Sequence, residues 1–130
     1  MTNLDETYIF SISTLFYSGH KQLFYALLLL IILDMLTGIL KAWRNRTLWS
    51  QRTMVGYSKK IGIICIVIVA NIIDVIFNLE GIFINGSVLF YVFSESTSII
   101  ENCNELGIPI PDQIKARLKS ASTFKKGDPL

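Results

Sequence analysis

Long apolar runs separated by short polar segments dominate the chain. Residues 22–42 and 60–79 are each apolar over about the 20 positions that an α-helix needs to cross the hydrocarbon core of a bilayer. Residues 86–106 form a third run of similar length, in which polar residues recur at three- and four-residue steps and so share one helix face. Two glycines and an Asn-Gly pair within residues 80–86 predict a tight turn before this run. The pattern predicts an all-α integral membrane protein with three transmembrane helices.

Shorter polar segments flank the three runs. Residues 4–18 place apolar and polar side chains at near-helical spacing, which predicts an amphipathic helix on the membrane surface, with transient insertion left open. Residues 107–130 are polar and basic, and we expect a cytoplasmic tail with one short helix over residues 111–121. The whole chain, residues 1–130, is therefore predicted to be one membrane domain.

Basic residues concentrate in two places, around the loop between the first two runs and in the tail. Of the twelve Lys and Arg residues, only Lys21 lies elsewhere. By the positive-inside rule both places face the cytoplasm, which requires an odd number of spans and predicts an N-terminus outside and a C-terminus inside. The residues expected to set this topology and to contact lipid headgroups are Arg44, Arg46, Arg52, Lys59, Lys60, Lys115, Arg117 and Lys119.

Acidic and amide side chains interrupt the apolar runs. An acidic residue at the centre of a membrane helix costs about 2.5–3.5 kcal/mol, so each needs a partner, a proton or water. One interpretation is that these residues join helices within an inert bundle. The other is an oligomer whose polar faces line a shared aqueous lumen, and we favour it because a three-helix monomer has little room for the polar face of the third run. The residues predicted to line a pore or join helices are Asp34, Thr37, Gly38, Asn71, Asp74, Tyr91, Glu95, Ser98, Glu101 and Asn102.

Composition narrows the function classes. The chain is 52% hydrophobic and 17% charged, which argues against most soluble enzymes and against a disordered chain. A net charge of +2 without interleaved basic and aromatic residues argues against a nucleic-acid partner. Two cysteines without CxxC spacing, one histidine and no nucleophile or phosphate motif predict no catalytic, metal or cofactor site. The expected partners are the phospholipid bilayer and further copies of this chain.

Motifs within the runs resemble a known family. The segment Asp34-Met35-Leu36-Thr37-Gly38 and the sequence ESTSIIENCNELGIPIPDQI at residues 95–114 are similar to the phage lysis and toxin-secretion holins, which include clostridial toxin-export holins. The specific part is E-x-x-S-I-x-E-N followed by G-x-P-x-P, and the likeness covers residues 34–118. Further matching positions are Ala42, Ser50, Gly56, Lys60, Ile73 and Asp74.

The resemblance implies a function that depends on assembly. Holins of this kind are small multi-pass proteins of the bacterial cytoplasmic membrane that accumulate harmlessly and then oligomerise into lesions. Endolysin, or a toxin, leaves through the lesion and is a functional and not a physical partner. Two other functions stay open at this point. A small ion channel or transporter subunit would pass ions without passing folded protein, and a non-lytic scaffold or antiholin would open nothing.

Overall fold

A computed structural model describes residues 14–125, and these residues form helices with no strand. Three long helices are followed by a shorter one: α1 (Lys21–Arg44), α2 (Gln51–Phe77), α3 (Ile82–Glu105) and α4 (Asp112–Lys125). Most of the predicted amphipathic helix at residues 4–18 lies outside the described residues, of which 14–16 are helical.

The boundaries of α2 and α3 differ from the predicted spans. The helix α2 begins at Gln51, well before residue 60, because the Ser50 side chain accepts a hydrogen bond from the Thr53 backbone N–H at 3.2 Å and caps the helix. At its other end, Asn78 adopts the left-handed conformation and ends the helix. The turn spans residues 78–81, so the Asn-Gly pair that predicted it lies inside the first turns of α3.

Two of the helices are long and apolar enough to cross a membrane. By length and composition these are α1 and α2. The helix α3 has 24 residues, as α1 does, but its polar residues lower its mean hydropathy. The third span therefore stays a prediction.

The most polar of the three long helices lies at the centre of the packing. The helix α3 packs along α1 and also against α2, whereas α1 and α2 contact each other little. A small apolar cluster fills the contact, and its buried members are Leu27, Ile31, Val67, Ala70, Ile84 and Val88. Many large apolar side chains point outward instead, as on a protein surrounded by lipid; among them are Ile32, Leu36, Ile61, Ile76, Phe90 and Phe93.

Candidate functional site

A cluster of three charged side chains joins the three long helices. The ammonium group of Lys60 on α2 lies 2.5 Å from a carboxylate oxygen of Asp34 on α1. It also donates to both carboxylate oxygens of Glu95 on α3, at 2.6 and 2.8 Å. Asp34 and Glu95 are only 6% and 2% exposed. The cluster, which we call the charge cluster, therefore buries two carboxyl groups beside one ammonium group.

Hydrogen bonds extend the charge cluster along α1 and α3. The side-chain amide of Asn102 donates to the second carboxylate oxygen of Asp34 and to the Thr37 hydroxyl, both at 3.1 Å. Gly38 lies beside this contact, and a Cβ added to it would meet the Asn102 amide nitrogen at an ordinary van der Waals distance of 3.8 Å. The Asn102 amide thus bonds the carboxylate oxygen of Asp34 that is not the one in the ion pair with Lys60.

A second polar contact surrounds Asp74 at the far end of α2. Its carboxylate accepts hydrogen bonds from the backbone N–H groups of Gly81, Phe83 and Ile84 at 2.8, 2.8 and 3.0 Å. These are the donors that the first turn of a helix leaves without intrahelical partners, so Asp74 caps α3 across the turn. Lys60 and Asp74 are 14 residues apart on α2, about 21 Å at the helical rise, so the two contacts are separate.

Asn71 joins the segment before α1 to the C-terminal half of α2. Its amide donates to the backbone oxygens of Thr14 and Leu15 at 2.8 and 2.7 Å. Its side-chain oxygen accepts from the Ser18 backbone N–H and hydroxyl at 2.8 and 2.9 Å. Asn71 is fully buried and all four contacts are made within the chain. Within the same segment, burial raises the pKa of the Tyr17 phenol, whose hydroxyl donates a hydrogen bond to the His20 carbonyl at 2.8 Å.

The sequence predicts that a three-helix monomer has little room for the polar face of the third run, and the structure shows how much of that face one chain accommodates. Asp34, Asn71, Asp74, Glu95 and Asn102 are all buried and all have partners in the same chain. The physical reason is that α3 lies between α1 and α2 and presents Asn102 to α1 and Glu95 to α2. Within residues 14–125, the Tyr57 hydroxyl is the one buried side-chain polar atom without a hydrogen-bond partner.

Three predicted residues of α3 lie outside these contacts. Glu101 is exposed, so the polar face of α3 is divided between an inward part and an outward part. Tyr91 is half-buried and packs against the apolar cluster, with its ring 5.3 Å from that of Phe90. Ser98 is half-buried beside a cavity that opens near the first loop.

The basic residues also divide into two groups. Lys60, predicted to contact lipid headgroups, has its ammonium group held between the helices by Asp34 and Glu95. Arg44 donates to the backbone carbonyl of Leu106 at 2.8 Å and so joins the end of α1 to the end of α3. A cation at a helix C-terminus is a recognised signal for such a contact. The remaining basic residues of the prediction are exposed, namely Arg46, Arg52, Lys59, Lys115, Arg117 and Lys119.

The buried polar residues are arranged to hold the helices together through ion pairs and hydrogen bonds. In the described part of the chain, no three His, Cys, Asp or Glu side chains are grouped to bind a metal ion. The acids are instead held by an ammonium group, by amides and by backbone N–H groups. What the arrangement offers is a membrane-sized bundle that is apolar outside and charged inside.

Comparison with known proteins places this arrangement in a family. The model of the bacteriophage holin family matches residues 11–122, which include every helix contact described above. A probable holin of Bacillus phage phi105 is 42% identical over 92 residues, covering 71% of this chain and 68% of that protein.

Further relatives come from bacteria. The uncharacterized protein YqxH of Bacillus subtilis is 42% identical over 100 residues, covering 77% of this chain and 71% of YqxH. An uncharacterized 14.9 kDa protein of Clostridium perfringens is 37% identical over 100 residues, covering 76% of each chain. No solved structure matches the chain. Since the family model covers most of the sequence, the chain belongs to the bacteriophage holin family.

Proposed function

We propose that the chain is a holin that oligomerises in the bacterial cytoplasmic membrane and opens lesions through which endolysin or a toxin leaves the cell. The observation that carries the proposal is the burial of the charge cluster between three helices. In this arrangement one chain presents an apolar surface to lipid. The same chain keeps inside it the polar groups that a water-filled lesion needs.

The buried arrangement corresponds to the quiet state. With Asp34 and Glu95 paired to Lys60, α3 is able to cross the bilayer as a third span beside α1 and α2. Individual subunits then accumulate without exposing charge to lipid. The exposed apolar side chains of α1 and α2 remain in contact with the acyl chains.

Assembly provides an alternative environment for the same side chains. When enough subunits meet, neighbouring chains and water replace the internal partners, and the polar residues of α1 and α3 turn toward a shared lumen. With both of its carboxyl groups ionised, the charge cluster carries one negative charge that the single ammonium group does not compensate. A charge that crosses the whole membrane field is worth about 2.3 kcal/mol per 100 mV, so collapse of the potential biases the equilibrium.

The proposal includes three spans with the N-terminus outside and the C-terminus inside. Alkaline phosphatase and green fluorescent protein fusions at residues 47 and 130 test it, because the first is active only outside the cytoplasm and the second fluoresces only inside. We expect both positions to report the cytoplasm, since basic residues are concentrated at both. Opposite sides for the two positions would exclude three spans.

The two acids of α3 make a matched pair for testing the role of the charge cluster. Glu95→Gln leaves Lys60 paired with Asp34 as a neutral pair, which stabilises the quiet state, so we expect delayed or abolished lysis. Glu101→Gln makes the same chemical change at an exposed site and is expected to leave the timing near that of the wild type. Culture turbidity after induction gives the time, with immunoblots to match protein levels. Wild-type timing for Glu95→Gln, or an equal delay for both variants, would contradict the proposal.

A further inference from the structure

An open cavity lies between α1, α2 and α3 at the end that carries the first loop. Its volume is about 730 Å³, and all three helices and residues of the loop line it. This volume lies within the range of pockets that hold small ligands, about 300–1,000 Å³. Asp34 and Lys60 of the charge cluster are among the residues that line it, together with Asn45 and Glu105 near the ends of α1 and α3.

Four cations line the cavity, and only two of them have acidic partners. Two lysines of the wall already have acidic partners: Lys60 is held in the charge cluster, and Lys41 lies 3.5 Å from Glu105. The other two cations, Arg52 and Lys59, are exposed and have no ion-pair or hydrogen-bond partner among the described residues. They lie seven residues apart on α2, two helical turns, and so face the same space. The wall therefore has two positive charges available for an anion.

Two neutral residues of α2, Gly56 and Tyr57, lie between these cations in the sequence and also line the cavity. The Tyr57 hydroxyl is buried, lacks a partner within residues 14–125 and belongs to a cavity-lining residue. Gly56 lies between the two cations, and a Cβ added to it would meet no atom within 4 Å. Arg52 and Lys59 thus flank open space, and both side chains are hydrogen-bond donors. A phosphate group accepts several such bonds at once.

The level of the cavity in the membrane favours a lipid headgroup as the source of the phosphate. The two tryptophans of the chain, Trp43 and Trp49, lie at the end of α1 and in the first loop, and they are 71% and 86% exposed. Tryptophan is enriched where acyl chains meet headgroups. Both tryptophans directly adjoin a cavity-lining residue in the sequence, Ala42 and Ser50, so we expect the cavity at the depth of the lipid phosphates.

We propose that this cavity binds the phosphate of an anionic phospholipid headgroup through Arg52 and Lys59. The inference rests on the proposed function only in placing the first loop at a membrane surface. Binding here would draw an anionic lipid against α2 next to Lys60.

Quenching of the two tryptophans tests the site in the full chain. The protein is reconstituted in two sets of phosphatidylcholine nanodiscs, each with a minor fraction of labelled lipid. The labelled lipid is phosphatidylglycerol in one set and phosphatidylcholine in the other. In both, a nitroxide is attached near the carboxyl end of one acyl chain. We expect the wild type to be quenched preferentially by labelled phosphatidylglycerol. In Arg52→Gln/Lys59→Gln the preference should fall by roughly fivefold for each cation removed. Gly56→Leu should also lower it, because the new side chain fills the cavity without changing the charge.

Matched variants separate the cavity from general effects. Gly62→Leu is the steric control, since Gly62 lies on the same helix, also has open space around an added Cβ and does not line the cavity. Arg46→Gln/Lys115→Gln is the charge control, since both residues are exposed and lie outside the cavity wall. Both controls should keep the preference. An equal loss in the charge control, or no preference in the wild type, would overturn the proposal.

Inorganic phosphate distinguishes the two possible sources. If added phosphate leaves the lipid preference intact, the occupant is the lipid headgroup, as proposed. If millimolar phosphate abolishes the preference in the wild type, the cavity binds phosphate taken from solution, and the lipid assignment is overturned. The assay does not depend on lysis, so a chain that selects phosphatidylglycerol without lysing cells would retain this inference and lose the proposed function.

Discussion

Replacing Lys60 by methionine should destabilise the three-helix arrangement by about 3–5 kcal/mol, because it leaves two buried carboxylates without a cation. Methionine is unbranched and matches the four-atom stem of lysine without its ammonium group, so the change is chiefly electrostatic. In cells we expect earlier lysis at equal protein level, since the quiet state loses its central contact. Thermal unfolding of the purified protein in detergent gives the stability, and culture turbidity gives the lysis time.

Lys59→Met provides the control for this prediction. It removes the same charge from the adjacent position of α2, but Lys59 is exposed and lies outside the charge cluster. Its stability should stay within about 0.5 kcal/mol of the wild type. A triple variant, Lys60→Met with Asp34→Asn and Glu95→Gln, should recover most of the stability because no charge is left unpaired. Equal stability of Lys60→Met and Lys59→Met would show that the charge cluster does not hold the helices together.

Replacing Asp74 by alanine is expected to lower the Tm by on the order of 10 °C, because three backbone N–H groups at the start of α3 lose their acceptor. The loosened turn should also expose the α2–α3 connection to protease added from outside. Thermal unfolding in detergent and limited proteolysis of spheroplasts measure the two effects.

Glu80 offers a matched comparison for Asp74. It is an acidic residue of the same turn, but it is exposed and forms no described hydrogen bond with the start of α3. Glu80→Gln should therefore leave both the Tm and the cleavage pattern near those of the wild type. The capping role of Asp74 is wrong if Asp74→Ala and Glu80→Gln have the same Tm.

The sequence predicts helices and helix faces better than it predicts partners. Apolar length and turn residues place the helical runs, and periodicity marks Asp34 and Glu95 as residues that need a partner. Periodicity along one helix does not reveal which residue of another helix lies opposite. The partner is Lys60, whose position near the end of an apolar run predicted lipid contact instead.

Other differences between the predicted and the observed contacts also arise because packing between segments is not encoded in a local pattern. Glu95 and Glu101 both belong to the polar positions of α3, but only Glu95 turns toward α1 and α2, because the helix packs with one narrow face between them. The bonds from Asn71 to Thr14 and Leu15 depend on where the segment before α1 folds back, which no local pattern records. Asp74 is the exception in principle, since an acid before a turn and a new helix is a known capping signal.

Release of a large folded reporter tests the central claim most directly. The chain is expressed from an inducible promoter in bacteria that contain a cytoplasmic enzyme of high molecular mass, while a dye reports the membrane potential. The holin account predicts a delay with an intact potential, followed by abrupt loss of potential together with release of active enzyme. Loss of potential without enzyme release would indicate a small channel, and no change in either signal would indicate a scaffold or an antiholin. Either of these results would contradict the account.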